Sequence, residues 1–180
     1  MDKVEYLDVL DEDGSIVGKA LRSEVHKKGL WHRAAHVWII NDDNEILIQK
    51  RSSEKENHPN AWDISSAGQV ISGKSSLETA IIEVQEELGV KIKQGELVQI
   101  GTLVTKTITN NGQYINNEFD DIFILKTHKR ISDFIIQKEE VARIKYITLK
   151  ELKEKVRENN PNFLPIRRAK TLIQYLENMK

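Results

Sequence analysis

The sequence predicts an α+β protein, with β-strands grouped around a few amphipathic helices in a mixed-sheet layered arrangement. Three observations predict it. Short alternating or β-branched runs bounded by polar turns recur through most of the chain. One segment, residues 75–88, carries clean helical periodicity. The 180 residues include 39% hydrophobic and 31% charged side chains and no Cys, which fits one domain that buries its own core without disulfides or a metal staple.

The elements follow in order. Tyr6-Leu7-Asp8-Val9-Leu10 alternates and meets Asp13-Gly14, with Ile16-Val17-Gly18-Lys19-Ala20 beyond it. Asp-Gly tolerates the positive φ of hairpin turns, so the pair reads as two strands around a turn. Residues 34–40, the polar turn 41–44 and residues 45–51 read as a second, more β-branched and central hairpin. Residues 62–68 form a short extended piece. For the helix, Ser75 is a cap, Glu78 completes a capping box and Gly89 stops it. Leu77, Ala80, Ile81, Val84 and Leu88 make its apolar stripe. Residues 97–103, 106–109, 118–126 and 143–147 read as strands. Residues 149–158 and 167–179 read as amphipathic helices, with Arg167, Arg168 and Lys170 on a solvated face. The prolines Pro59, Pro161 and Pro165 fall at element ends.

Composition excludes several classes. A net charge of -1 argues against a nucleic-acid polymer or an anionic membrane as partner. Without Cys there is no zinc knuckle and no thiol nucleophile. No apolar run approaches the ~18 residues of a spanning helix. The first residues are acidic where a signal peptide is basic and then apolar, so the expected location is cytoplasmic.

Chemistry concentrates on the 75–88 helix. Glu83, Glu86 and Glu87 sit at i, i+3 and i+4, on one side and away from the Leu77/Val84 stripe. Such like charges repel, and the negative end of the helix dipole disfavours them. Two readings fit the pattern: a solvated acidic face, or a set of hard oxygen ligands for a divalent cation.

Residues 68–90 resemble the Nudix box, G-x5-E-x7-R-E-U-x-E-E-x-G-U, with U a bulky aliphatic. Gly68, Glu83, Val84, Glu86, Glu87, Gly89 and Val90 match it, while Lys74 stands at the family's Glu and Ile82 at its Arg. The resemblance implies an α/β/α sandwich with a mixed sheet, forming one Nudix domain over 1–180 with 1–33 as an N-terminal β-hairpin extension. It implies a diphosphatase in which Glu83, Glu86 and Glu87 hold Mg2+ (or Mn2+) against a small-molecule diphosphate. The substrate would be a nucleoside-diphosphate derivative or an isoprenoid diphosphate. Gly68, Lys74 and Arg51 are the expected substrate contacts, with Arg51 ahead of Arg33 and Lys50. A loop Glu, either Glu139 or Glu140, is the expected general base, and Glu140 is expected to be catalytic beside the three box residues. A homodimer is left open. Lys74 and Ile82 also motivate a second reading, a Nudix fold that binds diphosphates without turning them over.

More of the chain, from about Asp8 to Ile147, resembles the isopentenyl-diphosphate isomerase-like branch. Its markers include His26, residues 30–34, residues 49–52, residues 58–63, residues 116–120 and residues 138–141. In that branch a Cys and a Glu move a proton, and three His with two Glu hold a metal. Ala67 stands at the Cys, Gln69 at one His and Asn116 at one Glu, while His26, His32 and Glu118 keep their types. The missing thiol argues for hydrolysis over isomerisation. His32 and Glu118 are expected to support the metal, with Glu118 projecting toward the box helix. His36 and Trp62 are expected to pack in the core.

Overall fold

A computed structural model describes residues 4–164 and 166–178. Nine strands and four α-helices follow the chain: β1 (Tyr6–Leu10), β2 (Ile16–Leu21), α1 (Arg22–Lys28), β3 (Trp31–Ile40), β4 (Ile46–Arg51), β5 (Trp62–Asp63), β6 (Ser66–Gln69), α2 (Ser76–Leu88), β7 (Leu97–Thr109), β8 (Tyr114–Lys126), β9 (Val141–Ile147), α3 (Leu149–Glu158) and α4 (Ile166–Asn178).

β3 is the axis. It lies parallel to β8 along its whole length, from Trp31↔Asn117 to Ile40↔Lys126. Its other edge meets β1 at Leu10↔Trp31, β6 from Ala34↔Gln69 to Val37↔Ser66, and β4 only at Ile40↔Ile46. A strand covered on both faces is largely apolar, and Ala34, Ala35, Val37, Trp38, Ile39 and Ile40 are all buried. Alternation sorts the faces. Ala35, Val37 and Ile39 pack with Ala80, Val84 and Leu88 of α2. Trp38 and Ile40 pack with Leu152 of α3 and with Ala169 and Leu172 of α4. The result is the α/β/α sandwich with a mixed sheet that the sequence implied.

α2 forms for the reasons read from its residues. The Ser75 side chain accepts from the Glu78 amide, the Glu78 carboxylate accepts from the Ser75 amide, and Gly89 ends the helix at φ 67°. Gly89 is also a close approach, since a Cβ there would meet the Ile135 carbonyl at 2.8 Å.

Several expectations need correction. The central hairpin is barely paired: β4 leaves β3 after one bridge and runs antiparallel to β9 instead. The two strands expected at 97–109 are one, because Val104 and Thr105 continue the β-branched run. The stretch 1–33 is more than a hairpin. It includes α1, too short and too poorly capped to announce itself, and the first residues of β3. Arg168 is not on a solvated face. The expectations for Pro165, the Arg167 side chain and Met179 fall outside the described residues.

Where β4 departs from β3, Ser65 holds the split. Its hydroxyl accepts from the Ile39 amide at 2.8 Å and donates to the Leu47 carbonyl at 2.6 Å, fully buried. Removing it orphans a buried N–H and a buried C=O. Ser65→Ala is expected to cost about 1–3 kcal/mol. Chemical denaturation measures it, and an unchanged midpoint would show that Ser65 is not the joint.

Candidate active site

α2 presents three carboxylates to three different environments. Glu86 is exposed, Glu83 half-buried and Glu87 buried. The expectation that all three turn away from the core is therefore wrong for Glu87. Its Oε2 accepts from Gln49 Nε2 at 3.2 Å and from the Ala67 amide at 3.4 Å. Glu83 lies over Gly68, where a Cβ would come within 2.1 Å of the carboxylate. That glycine is the space in which Glu83 sits.

Glu140 joins them from the start of β9. It pairs with Lys55, and both charges reach Glu83 and Glu87. Glu139 is exposed, and its carbonyl accepts from the Ser52 hydroxyl at 2.6 Å. Of the two loop acids, Glu140 is the one brought to the box residues. Burial, then the charges of Glu87 and Glu86, push the Glu83 carboxyl up to about 8. Burial pushes Glu87 up to about 7. Two acids pressed together in a low-dielectric lobe resist ionising together.

Lys74 is exposed in the loop before α2, and the charge it offers falls on Glu78 at the opposite end of the helix. Arg51 donates to the Asn57 carbonyl at 3.1 and 2.9 Å and faces Asp63 at 3.4 Å. Its fork is occupied by these partners.

His32 and Glu118 form a second cluster. They are register partners on β3 and β8 and share the face of Trp38 and Ile124, which is covered by α4 and not by α2. Glu118 therefore projects away from the box helix, contrary to expectation. His32 Nε2 lies 3.3 Å from Glu118 Oε1. Burial alone would raise Glu118, but the hydrogen bond and charge of His32, with Arg168 behind them, hold it well below the usual carboxylate range. Arg168 lies among Asp63 at 3.5 Å, Asp120 at 3.8 Å and Glu118 at 4.0 Å. His36 is buried as expected, 3.6 Å from Asp120, and burial lowers it well below the ordinary imidazole value.

Gln69 closes this second cluster. Arg22 Nε donates to Gln69 Oε1 at 2.8 Å, which turns the amide nitrogen toward both rings. That nitrogen is 2.7 Å from His26 Nε2 and 3.4 Å from His32 Nε2. The ring nitrogens that would face a metal thus face an amide, so His32 and Glu118 do not fit a metal shell. Among the described residues, no three His, Asp or Glu side chains stand at ligand spacing around one point. Glu83 and Glu87, with Glu140 near, do fit a hard divalent ion by chemistry: oxygen donors, crowded charge and a cradle without a Cβ.

Sequence reasoning gave no site role to Gln49, Lys55 or Arg168. Gln49 had a signal, being polar and buried behind Ile46, Leu47 and Ile48. Arg168 had one too: Asp63, Glu118 and Asp120 enter apolar strands and require a buried cation.

A family model described as NUDIX domain matches residues 30–165. An Arabidopsis thaliana protein named Nudix hydrolase 3 is 39% identical over 89% of this chain, which spans only 21% of that protein's length. An uncharacterised Nudix hydrolase of Clostridium acetobutylicum is 36% identical over 82% of this chain and 72% of its own. An isopentenyl-diphosphate delta-isomerase of Gibberella zeae is 31% identical over 87% of this chain and 68% of its own. Among solved structures, DR0079 of Deinococcus radiodurans superposes with a TM-score of 0.69 at 22% identity, covering 87% of this chain and 91% of that one. The NUDIX domain of Shewanella oneidensis NrtR, crystallised with ADP ribose, gives 0.59 at 14% identity over 82% and 88%.

The raised carboxyls set a pH dependence. An acid raised in the fold stays protonated where the unfolded chain has ionised, so stability falls as pH rises. Without divalent ions, the Tm should fall between about pH 5 and pH 8. Glu83→Gln should flatten that slope and raise the Tm at pH 8 by about 2–4 °C, the shift that 1 kcal/mol gives a domain of this size. Melts in chelator across that range check it, and an unchanged slope in the variant would contradict it. Gly68→Ala should swing the Glu83 carboxylate aside while leaving the fold intact, because the clash is with the end of a flexible side chain. Its Mn2+ affinity should be at least about tenfold weaker by calorimetry.

Proposed function

The chain belongs to the Nudix family, and from that premise we propose that it hydrolyses a diphosphate bond of the form X-diphosphate-Y, using a divalent cation held by Glu83 and Glu87. The observation that carries the reading is the pairing of these two acids. Both are forced upward in pKa, they sit at the negative end of a helix, and Gly68 makes room for one of them. A sequence selected for stability alone would put Lys or Arg there.

The cation is Mg2+ or Mn2+ in this reading. When bound, it neutralises charge developing on the diphosphate and acidifies a water. The chain's own residues do the rest. Gln49 and the Ala67 amide hold Glu87 in one orientation. Exposed Glu86 extends the acidic surface toward solvent. In this reading Glu140, beside both box acids, takes the proton from the attacking water. Lys74 remains available to a phosphate oxygen only in a pose that reaches the start of α2. Arg51 takes no part while Asn57 and Asp63 hold it. Ile82 removes the cation that the family places directly before the Glu83 position, so Gln49 carries more of the orientation here.

The substrate class follows as a small-molecule diphosphate, with nucleoside-diphosphate derivatives such as ADP-ribose and isoprenoid diphosphates as the two candidates. Isomerisation has the isomerase relatives in its favour. Against it stand Ala67, which offers no thiol, and Gln69, which fills the space between His26 and His32.

The test is product release from a panel of both substrate kinds with Mg2+. Turnover should disappear with chelator and fall on the order of 100-fold or more in Glu87→Gln. Equal background from wild type and variant on every compound would instead support a diphosphate-binding module.

A further inference from the structure

The carboxylate lobe already contains one cation, and it is a side chain. Lys55 lies in the loop between β4 and β5, where its ammonium pairs with Glu140 Oε2. Its charge also acts on Glu83 and Glu87, in the direction opposite to the mutual repulsion of the acids. The Lys55 side chain is 26% exposed, so it is neither a free surface lysine nor a buried structural one.

The loop that carries it is fastened at several points. The Ser52 amide donates to the Glu140 carbonyl at 3.0 Å, and the Ser52 hydroxyl to the Glu139 carbonyl. Arg51 grips the Asn57 carbonyl. The Asn57 side chain accepts from Thr109 at the end of β7, 3.0 Å away. Residues 52–61 thus run from the start of β9, beside the box acids, to the tip of the β7–β8 hairpin. Only Lys55 connects this loop to the charges of the lobe by a side-chain ion pair among the described residues.

We infer that Lys55 is an internal counter-ion of the Glu83–Glu87–Glu140 cluster that a divalent ion must displace, so that occupancy of the cluster is coupled to the position of loop 52–61. This rests on the reading of Glu83 and Glu87 as the cation site. A monovalent ammonium offsets the repulsion of the acids only in part. A divalent ion offsets more, and two cations in one lobe repel each other. Displacement frees Lys55, and with it the middle of the loop, while the Arg51–Asn57 and Asn57–Thr109 contacts keep the far end anchored.

The experiment titrates Mn2+ by calorimetry into wild type, Lys55→Met and Lys55→Arg, and follows proteolysis of the loop after Lys55 or Glu56. Lys55→Met should bind Mn2+ about tenfold more tightly, and Lys55→Arg should keep the wild-type Kd. Saturating Mn2+ should speed cleavage of the wild-type loop, whereas the Lys55→Met loop should be cut at one rate with and without metal. If all three proteins bind Mn2+ equally, or Lys55→Met binds it more weakly, the counter-ion role is wrong and the cation site stands. If none of them binds Mn2+, the cation site falls and this inference falls with it.

Discussion

The burial of two neighbouring carboxylates, Glu83 and Glu87, is the constraint around which the carboxylate lobe is arranged. Neither acid is placed where a folded chain would choose to put it. Glu87 is buried and Glu83 half-buried, and both lie in the last turns of a helix whose carbonyl end is already negative. The fold tolerates this because it is strong elsewhere: α2 is capped at both ends and its apolar stripe is locked into the core cluster of β3. A stable scaffold thus holds an unstable charge pair in place, and strongly perturbed acids of this kind cluster at functional sites.

The architecture explains how the pair comes to sit beside a loop and a glycine. β3 gives up β4 after one bridge, and Ser65 seals the resulting split. β6 enters the vacated edge and brings Gly68 under Glu83 and the Ala67 amide to Glu87. β4 meanwhile carries Gln49 to Glu87 and launches the loop with Lys55. A simple β3–β4 hairpin would not have left room for these groups. The separation of faces has a second result. In the cluster of His26, His32, Gln69, Glu118 and Arg168, an amide and a guanidinium stand among the His and Glu side chains. The cluster belongs to the α4 side of the molecule and reads as structure.

Much of this was legible in the sequence, for identifiable reasons. Ser75, Glu78 and Gly89 are local signals with local consequences, so α2 appears where its residues place it. Three Glu at i, i+3 and i+4 fit a solvated face as well as a cation site, and it was the resemblance of residues 68–90 to the Nudix box that singled them out. Strand parity was the information most easily lost. His32 and Glu118 have the residue types of ligands, but whether they face α2 or α4 depends on a register with β6 and β8 that no local pattern fixes. Arg168 shows the same limit. A cation on an amphipathic helix reads as solvated until the three acids it meets, drawn from β5 and β8, are brought to it by the fold. Lys55 lay in a polar loop and had no periodicity to betray it.

The most direct test of the account is a carbon-detected NMR titration of the Glu83 and Glu87 side-chain carboxyls, with and without Mg2+. The account predicts that in metal-free protein both titrate well above the ordinary glutamate value of about 4.3, and that Mg2+ drives both below it with a shift of the carboxyl signals. Two carboxyls that titrate near the ordinary value and ignore Mg2+ would contradict it.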